Sequence, residues 1–135
     1  MTADAITLSI PLEKPFHGVA RLVVGGLAAR LDLSYEHLED LQLALASVLE
    51  TDDYLAPGSV TVRLLVGSDS VGMVIGPVSP RLREEIESDA ELEQGIALRR
   101  LLATLVDEVE FEGEDGDEWL RLEKHVPFRH PKARQ

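Results

Sequence analysis

From Ala5 to Pro11 apolar and polar residues alternate (AITLSIP), the period of a half-buried strand. After Pro15 and Phe16 the period changes. Val19, Leu22, Val23, Gly26, Leu27 and Leu31 recur at threes and fours, which predicts a helix packed along one face. Gly25 and Gly26 lie side by side within it. Each glycine costs a helix about 1 kcal/mol relative to alanine, so the pair implies close approach by a sheet or a second helix. Ser34 is placed to cap the following helix, with Glu36 in its first turn at the positive end of the helix dipole. That helix carries Leu38, Leu41, Leu45, Val48 and Leu49 on one stripe and ends near Ala56-Pro57-Gly58, which cannot continue it. A second stripe, Ala44, Ser47 and Thr51, is small and uncharged, and its purpose is not obvious from packing alone.

Two alternating runs come next, Ser59 to Val66 and Ser70 to Gly76, joined by Gly67-Ser68-Asp69. They predict an antiparallel hairpin whose register is set by Val60, Val62, Leu64 and Val66. Residues 77–93 are proline-flanked and acidic, consistent with a short charged helix in a mobile connection. A third amphipathic helix follows on Ile96, Leu98, Leu101, Leu102, Leu105 and Val109, running into the strand EVEFE, which GEDGD turns back into WLRLEKHV. Strand, helix, helix, hairpin, loop, helix, hairpin is the order of an α+β two-layer sandwich, with helices on one face of a mostly antiparallel sheet.

A chain of 135 residues has the size of one domain. A single unit over 1–135 is expected, with its core over 5–126 and a polar, proline-broken tail at 127–135 that frays. A hydrophobic content of 44% with 28% charged residues is that of a globular protein, and no apolar run is long enough to span a bilayer. With no cysteine, disulfides, thiol catalysis and thiolate metal sites are excluded. The opening residues show no basic stretch followed by an apolar one, so a cytoplasmic location is expected. A net charge of −12 repels a phosphate backbone and favours a protein partner over direct nucleic-acid binding. His17, His37, His125 and His130 lack ligand spacing, so no metal is assigned to them.

Taken in order, FHGVARLVVGGLAARLDLSYEHLEDLQLALASVL and GIALRRLLATLVDEVEFEGEDGDEWLRLEKHV resemble the opening helices and the closing helix and hairpin of the RsbW-type anti-sigma factor serine kinases, members of the GHKL (histidine-kinase-like) ATPase fold. The likeness covers residues 5 to 126, with ARL, YEHLEDLQLAL and LVDEVEF its most specific pieces. It implies a Bergerat-type sandwich, ATP and Mg²⁺ as family cofactors, a sigma factor or an anti-sigma antagonist as partner, and a homodimer. It also gives the uncharged stripe a purpose, because in that family this face lines the ATP pocket. A glutamate there is the general base and an asparagine four residues later holds Mg²⁺. Aligned on DLQLAL, those positions are Ser47 and Thr51. A serine hydroxyl is not a proton acceptor of carboxylate strength, and a threonine hydroxyl is a shorter, poorer magnesium ligand than an amide carbonyl. No register restores the ligand, since the chain contains no asparagine.

Three other nucleotide motifs of the family are altered. The adenine-binding aspartate and its glycines fall on VGMVIGPVSP, which keeps Gly76 but has no acid; none occurs between Asp69 and Glu84. Phosphate lids use glycine so that backbone N–H groups can approach the phosphates, yet Pro77 to Gln94 contains no glycine and is acidic. The last motif, glycine-any-glycine-leucine, survives by half as Gly95-Ile96-Ala97-Leu98. The expectation is a pseudo-kinase, a GHKL-like module that holds no cofactor and works by protein contact, with Ser47, Thr51, Gly76, Gly95 and Ala97 as vestigial pocket positions. Two alternatives are an active kinase that phosphorylates an anti-sigma antagonist, with Glu50 or a lid acid as base, and an adaptor for another signalling partner. The resemblance also matches Arg21 to an arginine that touches the partner. The acids Asp107, Glu108, Glu110, Glu112, Glu114, Asp115, Asp117 and Glu118 either meet a basic partner or keep a hairpin edge soluble, and Trp119 is either an anchor or packing.

Overall fold

The computed structural model describes residues 4–51, 54–87, 93–114 and 116–126. Among these the order is β1 (Asp4–Pro11), α1 (Lys14–Leu31), α2 (Tyr35–Leu49), β2 (Ser59–Val66), β3 (Ser70–Val78), α3 (Pro80–Glu87), α4 (Glu93–Leu105), β4 (Glu108–Glu114) and β5 (Asp117–His125). The five strands lie in the order β1-β2-β3-β5-β4, each pair antiparallel. β2 and β3 pair from Val66↔Val71 to Thr61↔Gly76, so the Gly67-Ser68-Asp69 turn closes the expected hairpin. Because side chains alternate across a strand, Ile10, Val60, Val62, Leu64, Val71, Met73, Ile75, Leu120 and Leu122 face one way. There they meet Ala20, Val24, Leu41, Leu45, Val48, Leu98 and Leu102 from the helices in one buried cluster. The result is the two-layer α+β sandwich that the GHKL resemblance implied. No described helix is long and apolar enough to cross a membrane.

Ser34 caps α2 as expected, its hydroxyl oxygen accepting the His37 N–H at 3.2 Å. That helix stops at Leu49, short of the expected Ala56. The reason is competition from the sheet: Leu55 bridges to Val78, the Ser79 N–H donates to the Tyr54 carbonyl at 2.7 Å, and the Ala56 N–H donates to the Pro77 carbonyl at 3.0 Å. This added pairing continues β3 past Gly76 and turns the Tyr54 ring into the core, where it is fully buried.

The packing face of α1 also differs from expectation. Ala20, Val24 and Ala28 are the buried positions, whereas Leu22 is 76% and Val19 40% exposed. Small side chains let the helix settle close to its neighbours, and Val23, Leu27 and Leu31 lie half-buried at the margin. Of the glycine pair, Gly25 faces α2, where an added Cβ would stand 3.4 Å from the Gln42 amide, while Gly26 faces open space. Close approach therefore explains the first glycine and not the second. In the acidic connection, α3 is the short helix expected, but it is anchored: Leu82 is fully buried and belongs to the core cluster. Residues 88–92 and the tail 127–135 lie outside the described residues.

One tie joins the helical layer to the sheet. Lys124 on β5 reaches Asp40 of α2 at 3.1 Å and donates to the Leu105 carbonyl, at the C-terminal end of α4, at 2.8 Å. Lys124 thus bridges the N-terminal half of α2 and the C-terminal end of α4, two helices that are in contact.

Candidate functional site

Ser47 lies seven residues after Asp40, on the same side of α2, and Thr51 follows just past the end of the helix at Leu49. Both are half-buried. The Ser47 hydroxyl donates to the Leu43 carbonyl at 2.8 Å, and the Thr51 hydroxyl donates to the Val48 carbonyl at 2.5 Å. Short hydroxyl side chains commonly fold back on the preceding turn in this way, and here each proton is committed to the helix's own backbone. Ala44, the third member of the stripe, is fully buried in the core. Gly95 and Ala97 fall in the first two turns of α4.

Gly76 is not brought to this group. Its neighbour Ile75 faces the helices, and a Cβ on Gly76 would stand 2.7 Å from Trp119 Cε3 and 2.8 Å from Cδ2. Trp119 lies on the face of the sheet away from the helices, 8% exposed, with the Arg63 guanidinium 4.7 Å from the ring centroid. The outer face thus carries its own small stack, Gly76 beneath the indole and Arg63 above it, which settles Trp119 as packing. Nothing in the apolar alternation of β3 signals this cluster. A glycine facing the only tryptophan is visible only once the β3–β5 register is known.

A concavity lies about a quarter turn around α2 from the Ser47/Thr51 stripe. A groove of about 570 Å³ between α1 and α2 is lined by Lys14, His17, Gly18, Arg21, Ala46 and Glu50. Ala46 and Glu50 each precede a member of the Ser47/Thr51 stripe by one residue, a rotation of about 100° around the helix. Sharing Gly18 and Arg21 with it is a shallower groove of about 520 Å³ that adds Pro15, Val19, Leu22 and Gln42. Arg21 is exposed and borders both grooves. The spacing of Lys14, His17 and Arg21, at i, i+3 and i+7, was the available signal for this basic face.

Part of the acidic run is tied up within the chain. Glu112 and Glu123 meet Arg121 at 3.1 and 3.3 Å, Glu118 meets Arg83 at 3.1 Å, and the Asp107 carboxylate accepts the His125 N–H at 2.6 Å. β4 is an edge strand, and its acids line that edge. Asp115 and His130 lie outside the described residues. No group of His, Asp or Glu that could hold a metal ion occurs among the described residues.

No family model matches the chain. It is, however, 29% identical over 134 residues to the serine-protein kinase RsbW of Bacillus pumilus, an alignment covering 85% of this chain and 82% of the relative. To the serine-protein kinase RsbW of Listeria monocytogenes serotype 4a it is 28% identical over 130 residues, covering 84% and 82%. To that of Bacillus velezensis it is 27% identical over 136 residues, covering 85% and 82%. Over most of its length the chain is thus similar to RsbW-type serine-protein kinases. The RsbW relatives are kinases by name, and this chain carries Ser47 and Thr51 at the positions where the resemblance sets a glutamate and an asparagine.

Proposed function

We propose that this chain is an RsbW-type pseudo-kinase: an anti-sigma-like regulator that binds a protein partner, a sigma factor or its antagonist, without transferring phosphate. The supporting observation is the chemistry of Ser47 and Thr51. Neither side chain offers a carboxylate or an amide carbonyl, and each hydroxyl proton is already donated to the turn behind it. A group that accepts a proton from a substrate hydroxyl needs a lone pair of carboxylate basicity, and an octahedral magnesium site needs firmly held oxygen ligands. The residues present do not fit Mg-ATP.

The acidic composition of Pro77 to Gln94, the segment the resemblance matches to the phosphate lid, adds to this, since like charge repels a triphosphate. Loss of the nucleotide groups leaves the helical face of α1, with Arg21 on it, as the surface through which the protein acts; the homodimer of the family resemblance belongs to the same reading. The kinase names of the relatives favour one competing reading, an active enzyme using Glu50 as base. Calorimetric titration with Mg-ATP decides between them. The pseudo-kinase shows no saturable heat and no phosphate transfer to an antagonist protein. Micromolar binding together with transfer that Glu50→Gln abolishes would establish the enzyme.

A further inference from the structure

Lys14, His17, Gly18 and Arg21 fall at i, i+3, i+4 and i+7 along α1, a single stripe, and all four line the groove whose opposite wall is Ala46 and Glu50 of α2. The middle of this groove is open. Neither Gly18 nor Ala46 carries a side chain beyond Cβ, and a Cβ added at Gly18 would meet nothing within 4 Å. At a rise of about 1.5 Å per residue, Lys14 and Arg21 stand about 10 Å apart along the helix. Both long side chains can therefore lean over Gly18 toward one group held between them.

The charges in it are unusual for this chain. With 25 acidic and 13 basic residues, a cation usually has an acid at hand, and Arg83, Arg121 and Lys124 are each paired with carboxylates. Lys14 and Arg21 form no ion pair among the described residues, and both are exposed. His17 has an unmet bond as well, because its Nε2 is buried without a hydrogen-bond partner among the described residues. Two permanent cations and an unsatisfied imidazole nitrogen thus share the groove with a single carboxylate, Glu50. Physiological salt screens charges beyond about 8 Å, so these lining groups, more than the net charge of −12, decide what enters.

We propose that this groove is a site for a small-molecule phosphate monoester that carries an ammonium group on the same short carbon skeleton. A monoester holds a charge of about −1.5 to −2 at neutral pH, which matches the two cations. Lys14 meets it as a point charge, Arg21 through its planar fork, and His17 turns its Nε2 to a phosphate oxygen. The phosphate sits over Gly18, where any side chain would stand in its way. The ammonium points at Glu50, which repels a ligand anionic throughout and so selects a zwitterionic one. A volume of about 570 Å³ is that of a small-molecule site. Because the groove lies a quarter turn from Ser47 and Thr51, the site stands whether or not nucleotide binds beside those residues.

Titration of the isotope-labelled full chain with phosphoethanolamine, ethyl phosphate and ethanolamine, followed by backbone amide shifts, tests this. Phosphoethanolamine should give saturable shifts centred on Gly18 and Ala46. Ethyl phosphate, which lacks the ammonium, should bind more weakly, and ethanolamine not at all. Lys14→Gln and Arg21→Gln should each weaken phosphoethanolamine binding by about fivefold or more. Glu50→Gln should act with opposite signs, weakening phosphoethanolamine and tightening ethyl phosphate. Gly18→Leu should keep or raise Tm, because leucine is the better helix former and the position is open, yet abolish binding. No saturable shift in the groove, binding that both charge-neutralised variants or Gly18→Leu retain, or a Glu50→Gln variant that moves both ligands the same way overturns the proposal. Shifts centred on Ser47 and Thr51 instead would place the anion elsewhere and overturn it equally. Vesicles of phosphatidylethanolamine, whose phosphodiester carries one charge, should not retain the protein; retention would replace the small molecule by a lipid surface. Mg-ATP calorimetry judges the pseudo-kinase reading separately.

Discussion

Replacing Gly76 with alanine should destabilise the protein through Trp119 and leave its helical face untouched. The new Cβ would stand 2.7 and 2.8 Å from two carbons of the indole and 3.2 Å from the Glu118 carbonyl oxygen. Carbon atoms pack at about 3.5–4.0 Å, so the ring must retreat by roughly 1 Å. It cannot retreat freely, because the Arg63 guanidinium lies over the ring at 4.7 Å from its centroid. Overpacking of this kind costs about 1–3 kcal/mol. For a domain of this length each kcal/mol lowers Tm by about 3–5 °C, giving a depression of about 3–15 °C. Urea unfolding followed by far-ultraviolet circular dichroism measures the cost, and emission from the single tryptophan reports the ring's displacement directly. The decisive comparison is the same substitution in a Trp119→Ala background. With the ring gone, only the Glu118 carbonyl stays close, and the cost should fall below about 1 kcal/mol; contacting residues couple in this manner. An equal cost in both backgrounds, or none in the parent, would refute the placement of Gly76 beneath the indole.

Two further outcomes follow from the packing and the charges. Leu82→Ala should cost about 2–5 kcal/mol, the range for a fully buried leucine, as measured by chemical denaturation; a loss of under about 1 kcal/mol would mean that α3 is not anchored in the core. The hydrogen bond of Tyr35 to the Glu39 carboxylate, and then the carboxylate's charge, hold the phenol above its ordinary pKa. Both causes favour the protonated form, so what stabilisation the contact gives is present at neutral pH and lost as pH rises through the raised value. Ring-carbon resonances of Tyr35 followed against pH should show the midpoint drop toward the ordinary value in Glu39→Gln, and an unchanged midpoint would exclude the contact.

Much of this architecture could be read from periodicity. The period-two runs gave β1, β2 and β3, and the leucine spacing gave α2 and α4, because in those segments one force, burial of one face, dominates. Where two forces compete, the reading slipped. The end of α2 was misjudged because the Tyr54-Leu55-Ala56 backbone finds partners on β3, and sheet pairing leaves no mark in local sequence. The face of α1 was misjudged because Leu22 outranks Ala20 and Ala28 in hydrophobicity, whereas close helix contact rewards small size. At the candidate site, the chemistry of Ser47 and Thr51 was legible as residue types, and the backbone bonds that engage their hydroxyls were not. The position of Gly76 on the far face depended on strand register, which no count along the chain supplies. The grooves beside α1 need two helices to exist, so sequence could offer only one of their walls.

Lys124 has a mechanical meaning beyond its charge. By gripping Asp40 and the Leu105 carbonyl together, it acts as a rivet at one end of the seam between α2 and α4. A pull on either helix is therefore passed to the other and to β5 through one ammonium, so losing that group would uncouple three elements in a single step.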